Sequence, residues 1–122
     1  VPGIDDALMV ATGSNHSCAL RADGTVACWG VNDDGQLGDG MMTHGTTSCT
    51  IDSENIDCSA TPVVVATIDD ATFIASRASF TCVIRGGDGS VWCWGNNNNK
   101  QLGDGTRQNR FEPVMVMGTA AP

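Results

Sequence analysis

Few side chains in this sequence could do chemistry: six cysteines, two histidines and aspartates scattered among turns. His16 stands between Asn15 and Ser17, and its counterpart later in the chain is Phe80. A position that tolerates an aromatic is expected to pack and to hydrogen-bond a turn rather than to catalyse or ligate. His44 lies near Asp39 and Cys49. A zinc site there would need His44, Cys49 and Cys58 with both thiols reduced, because an oxidised pair supplies no thiolate. Asp33, Asp34 and Asp39 sit beside glycines and have the oxygen chemistry of calcium loops, which makes them the calcium candidates of the chain. The EF-hand spacing is missing, and turn formation by Asn and Asp explains these residues equally well. Asn15-His16-Ser17 fits the glycosylation pattern. No nucleophile elbow, phosphate loop, carboxylate pair or His-centred triad is visible, so neither an enzyme nor a cofactor is expected.

Charge narrows the partners. Fourteen acids face six basic residues, a formal charge of -8. Residues 1–66 hold nine acids against the single base Arg21, while residues 67–122 hold five of each. Nucleic acid needs clustered Lys and Arg to displace counterions, so it is not an expected ligand. The first half could attract cations or basic partners, or simply present a solvated acidic face. No apolar run is long enough to span a membrane as a helix. Six cysteines in three close pairs suggest an oxidising compartment. The Val1-Pro2-Gly3 start reads as the cut end of a longer precursor.

A repeat organises these residues. Ile4-Asp5-Asp6-Ala7 returns as Ile68-Asp69-Asp70-Ala71, Cys28-Trp29-Gly30 as Cys93-Trp94-Gly95, and Gln36-Leu37-Gly38-Asp39-Gly40 as Gln101-Leu102-Gly103-Asp104-Gly105. Pro62-Val63-Val64-Val65 matches Pro113-Val114-Met115-Val116. The expected division is a first unit over 1–66, carrying an inserted loop over 41–60, and a second unit over 67–122. Each unit reads as four short strands: 7–11, 16–21, 25–29 and 62–65, then 71–75, 80–85, 90–94 and 113–116. Four strands at a period of about fifty residues predict an all-β fold of two β-propeller-type blades. Trp29, Trp94, Phe73, Phe80, Leu37 and Leu102 are the expected packing and interface residues. Trp92, whose counterpart is Ala27, either packs likewise or anchors a partner from the surface.

Turn chemistry sets the pairing within each unit. Ala22-Asp23-Gly24 forms a three-residue turn, and counting outward opposes Leu20 to Val26, Ala19 to Ala27 and Cys18 to Cys28. In the second unit the turn Gly86-Gly87-Asp88-Gly89 is one residue longer, and counting outward opposes Cys82 to Cys93. Directly opposed cysteines predict the bridges Cys18–Cys28 and Cys82–Cys93. Exclusion leaves Cys49–Cys58, closing a loop inside the insertion.

The stretches Asn15-His16-Ser17-Cys18-Ala19-Leu20, Asp23-Gly24-Thr25-Val26-Ala27-Cys28-Trp29-Gly30 and Gly35-Gln36-Leu37-Gly38-Asp39-Gly40 resemble the repeat of the regulator of chromosome condensation family. They are most similar to its cysteine-bearing version in bacterial secreted and surface proteins. The resemblance implies blades of a seven-bladed β-propeller, each a four-stranded sheet. The nucleotide-exchange and chromatin roles of the eukaryotic founding member are not carried over, because fold does not imply function. The expected role is an extracellular or cell-surface structural and adhesive module that self-assembles, as a ring or filament, or packs with further blades. The alternative is a piece of a closed propeller that binds carbohydrate or protein. Expected partners are copies of the chain, further blades, or a glycan or surface protein.

Overall fold

The computed structural model describes residues 4–44, 48–51 and 53–118. The Val1-Pro2-Gly3 start and part of the inserted segment lie outside them. The described residues form two antiparallel sheets and no helix. The first sheet contains β1 (Ala7–Thr12), β2 (His16–Arg21), β3 (Val26–Val31), β4 (Ser48–Ile51) and β5 (Glu54–Val64), in the order β1-β2-β3-β5-β4. The second contains β6 (Ala71–Arg77), β7 (Phe80–Arg85), β8 (Val91–Gly95) and β9 (Arg110–Met115), in sequence order.

Local chemistry explains the central hairpins. Gly24 takes a φ of 86°, a left-handed conformation costly for a residue with a β-carbon. The Asp23 carboxylate accepts from both the amide and the hydroxyl of Thr25, closing the turn. Asp88 does the same with Ser90 in the second sheet. The resulting registers oppose Leu20 to Val26 and Cys18 to Cys28, and Ile84 to Val91 and Cys82 to Cys93, as the outward count gives. Disulfides join Cys18 to Cys28 and Cys82 to Cys93, each across a Cα–Cα distance of 4.1 Å. A third joins Cys49 to Cys58.

The Cys18–Cys28 bridge is fully buried among Leu20, Val26 and Ile74. Closing its short loop limits the unfolded ensemble. Replacing both cysteines by alanine should therefore lower unfolding free energy by about 3 kcal/mol, measured by urea titration of otherwise oxidised protein.

Two features of the architecture correct the sequence reading. The expected pair of four-stranded β-propeller-type blades is not formed: both sheets are open and neither curls or closes. β1 and β4 are the edges of one, β6 and β9 of the other. The inserted segment is also not a mere loop. β4 pairs with the first half of β5, opposing Cys49 to Ile56 and Thr50 to Asn55, and so gives the first sheet a fifth strand. Thr50, Ile51 and Ile56 carry the β-branched signal for this hairpin. β5 then runs on without interruption through Pro62 and Val63 to pair with β3. β9 likewise begins at Arg110, ahead of the expected Pro113.

The sheets stack front to back. Residues paired across strands share a face, and alternate residues face opposite ways. In the first sheet the cysteine-bearing face carries Met9, Leu20, Val26 and the Cys18–Cys28 bridge, and it is packed in the core. It meets the face of the second sheet that carries Ile74, Val83, Trp92 and Trp94. The cysteine-bearing face of the second sheet therefore points away from the first. Polar seams tie the stack together. The Trp94 indole N–H donates to the Gln36 carbonyl at 2.9 Å, and Asp34 accepts from both Asn96 and Asn109.

Candidate functional site

The residues singled out from sequence fall into three groups. Trp94, Leu37 and Leu102 are wholly buried. Trp29 and Phe80 are half-buried, and so is Trp92, whose N–H donates to Ser90 Oγ while the Arg85 guanidinium lies 5.2 Å from its ring centre. Packed against the core and covered by Arg85, Trp92 is not a free stacking platform. Phe73 is 47% exposed.

The calcium candidates do not converge. Asp33 accepts from the Gln36 amide, Asp34 from two asparagines of the second sheet, and Asp39 from His44 and the Met41 amide. Among the described residues no three His, Cys, Asp or Glu side chains are placed to hold a metal. The Cys49–Cys58 bridge removes the thiolates that a zinc site at His44 would need.

The two histidines occupy contrasting environments. His16 is 3% exposed, wedged between the sheets. Its Nε2 lies 2.8 Å from Thr81 Oγ1, while Nδ1 has no hydrogen-bond partner. Burial pushes its pKa down to about 4, because the imidazolium would be stranded away from water. Gly13 backs the ring closely, leaving no room there for a β-carbon.

His44 is held between two carboxylates. Nδ1 lies 2.6 Å from Asp57 Oδ2 and Nε2 lies 2.7 Å from Asp39 Oδ2. Its backbone N–H donates to Asp57 Oδ1, and Asn32 donates to Asp57 Oδ2. Burial works to lower the His44 pKa, but the bonds to Asp39 and Asp57 outweigh it and the net shift is upward. Burial likewise works to raise the Asp57 pKa, yet His44 and Asn32 together hold it below the usual carboxylate value. Asp39 and Asp57 are far apart in sequence, and the pairing of β5 with β3, extended by the Asn32 amide on the Asp57 carbonyl, brings them to one imidazole. Asp57 carried no signal of this role in the sequence.

An apolar patch lies open on the outward face of the second sheet, at Phe73 and Ile84. Phe73, Ile84 and Val91 form one cross-strand row, and Ala75, the Cys82–Cys93 bridge and Val114 form the next. Phe73 and Ile84 are 47% and 39% exposed. Their equivalents in the first sheet, Met9 and Leu20, are covered by the second sheet. No helix among the described residues is long and apolar enough to cross a membrane.

Fold and surface together define an all-β repeat protein with two stacked antiparallel sheets and an uncovered apolar face. Sequence models of the regulator of chromosome condensation (RCC1) repeat match residues 10–36, 74–101 and 88–121, together more than half of the chain. The chain belongs to the RCC1-repeat family. It is 33% identical over 108 residues to the human E3 ubiquitin-protein ligase HERC2, covering 88% of this chain and 2% of HERC2. It is 33% identical over 110 residues to the Arabidopsis thaliana mitochondrial RCC1 domain-containing protein RUG3, covering 88% of this chain and 21% of RUG3. The chain thus spans a small part of these relatives. Yeast RCC1 (Prp20), solved bound to Kap60, superposes with a TM-score of 0.80 at 15% identity, over 98% of this chain and 26% of that one. A second structure of Prp20p from Saccharomyces cerevisiae, described with its binding properties to Gsp1p and histones, has a TM-score of 0.79 at 15% identity, over 98% of this chain and 27% of that one.

These relatives correct the functional expectations. They are human, plant and yeast proteins, so the bacterial, secreted version of the repeat is not what the chain resembles. They are a ubiquitin ligase, a mitochondrial protein and a protein bound to Kap60, not extracellular adhesins, surface proteins or self-assembling filaments. The cysteine pairs misled this reading. A disulfide reports the redox state of a pair of thiols, and cysteine count alone does not give an address.

Proposed function

We propose that the chain is a protein-binding RCC1-repeat module that docks a basic protein partner through the outward face of its second sheet. The observation that carries this reading is the cross-strand apolar pair Phe73 and Ile84, left open where the matching pair Met9 and Leu20 of the first sheet is covered. Exposed contiguous apolar surface on a folded domain marks an interaction site. The net charge of -8, which resides in residues 1–66 with nine acids against one base, steers a partner of opposite sign toward the chain at long range and speeds the encounter. The structural relatives have protein partners, Kap60 for one and Gsp1p and histones for another. A glycan ligand is less well served, because Trp92 is capped by Arg85 instead of presenting an open ring. In this reading the chain has no catalytic duty, and its two repeat units divide near residue 66, between the last strand of one sheet and the first of the next.

Biolayer interferometry against purified Kap60, Gsp1p and core histones tests the reading. Binding should weaken as salt rises from about 0.05 to about 0.5 M. Ile84→Asp, at an exposed position, should leave the melting temperature nearly unchanged and weaken binding by about tenfold or more. No binding to any of the three, or equal binding by Ile84→Asp, would overturn it.

A further inference from the structure

The turn after β3 and the turn after β8 are copies of each other, and each ends in an aspartate, Asp39 or Asp104. A buried asparagine organises each one. Asn32 accepts from the Leu37 amide, as Asn97 accepts from that of Leu102. The cation on the aspartate differs between the two copies. Asp104 Oδ2 pairs with Arg110 at 2.8 Å, whereas Asp39 Oδ2 meets His44 at 2.7 Å. A guanidinium stays charged at any ordinary pH, and an imidazole does not.

The geometry also defines the protonation state of the closed form. Both ring nitrogens of His44 face carboxylate oxygens, which can only accept. Both nitrogens must therefore carry protons, and the closed form holds an imidazolium. The other charged groups nearby do not change this. Asp39 comes from the turn and Asp57 from β5, while Glu112 of β9 comes within 3.5 Å of the position a β-carbon on Gly40 would take. Among the described residues no Arg or Lys reaches either of the bonded carboxylates.

We propose that His44 is a proton-operated clasp that ties the Asp39 turn to β5 when protonated and releases that turn when neutral. On deprotonation one proton leaves to solvent, and one ring nitrogen turns a lone pair toward a carboxylate. The contact that fails is the one to Asp39. The Asp57 side is held twice over, by Nδ1–H and by the His44 backbone N–H. The neutral ring thus keeps its Nδ1 proton on Asp57 and presents a bare Nε2 to Asp39. The segment loosened is Met41 to Thr43, which carries the exposed Met41 and Met42 and is then tied only by the Asn32 side-chain amide on the Met41 carbonyl and the Met41 amide on Asp39, while Gly40 stays bonded to the Phe111 carbonyl. The matching turn of the second sheet, fastened by Arg110, stays closed.

Nitrogen NMR of the His44 ring and amide exchange of residues 41–43 test this. At about pH 6 both ring nitrogens should be protonated, and by about pH 9 only Nδ1. After correction for base catalysis, exchange at 41–43 should speed up by about tenfold over that interval, while 106–108 should not respond. His44→Arg, which copies the second turn, should keep exchange slow at both values. His44→Gln should exchange fast at both. A flat wild-type profile, a neutral His44 ring at about pH 6, or a His44→Gln protein that keeps the wild-type response would overturn the proposal.

Discussion

Trp94→Ala should destabilise the protein by about 4 kcal/mol in urea or thermal unfolding, more than any other single substitution discussed here. The indole is wholly buried at the seam between the sheets. Its removal would leave a cavity among Cys18, Leu37 and Val83 and orphan the Gln36 carbonyl, which now accepts the indole N–H. A paired substitution separates packing from simple loss of surface. Gly38 adopts a φ of 66°, and a β-carbon there would lie 2.7 Å from the indole nitrogen. Gly38→Ala should thus be costly beside Trp94 and much milder in the Trp94→Ala background, so the double substitution should cost less than the sum of the two. Simple additivity would mean that the turn does not rest on the ring. Trp29→Ala should be less damaging, because its ring is only half-buried.

The second large effect is an acid limb caused by His16. Its folded pKa of about 4 lies below the ordinary value of 6.5, so the unfolded chain binds the proton more tightly. The resulting stability is complete above about pH 6.5, falls as pH drops through the interval, and levels off below about pH 4. A difference of that size corresponds to a loss on the order of 3 kcal/mol. His16→Phe, the residue type at the equivalent Phe80, should abolish this limb. Thr81 would keep its bond to Ser76 at 2.7 Å and not be left bare. The measurement is the unfolding free energy of both proteins from about pH 7 to about pH 4, taken as a difference. Parallel curves would refute the assignment.

The difference is needed because other groups titrate nearby. Burial acts to raise the Asp104 pKa, but bonds from Thr106, Arg110 and Asn97 bring it down to about 2. Its stabilisation is lost only below its unfolded value of 3.8. His44 runs the other way. Its pKa is raised, so its contribution is complete in acid and is lost as pH climbs through the folded value. One histidine weakens the fold in acid and the other weakens it in base.

Whatever depends on neighbours along the chain is legible in the residue types alone. Asp23-Gly24 and Asp88-Gly89 close their turns with their own side chains, and a hairpin register follows from its turn by counting. The repeat was legible for the same reason, and with it the all-β class. Tertiary structure decided which face of each sheet meets the other. The cysteine faces have the same pattern in both sheets, yet one is core and the other is open, because the units stack front to back. It also decided that β4 and β5 would pair, Thr50 with Asn55 and Cys49 with Ile56, and that Asp57 would reach His44, a contact between segments that no local rule links. Turn geometry acts over a few residues and is written in them. Burial and ion pairing depend on what arrives from elsewhere in the chain.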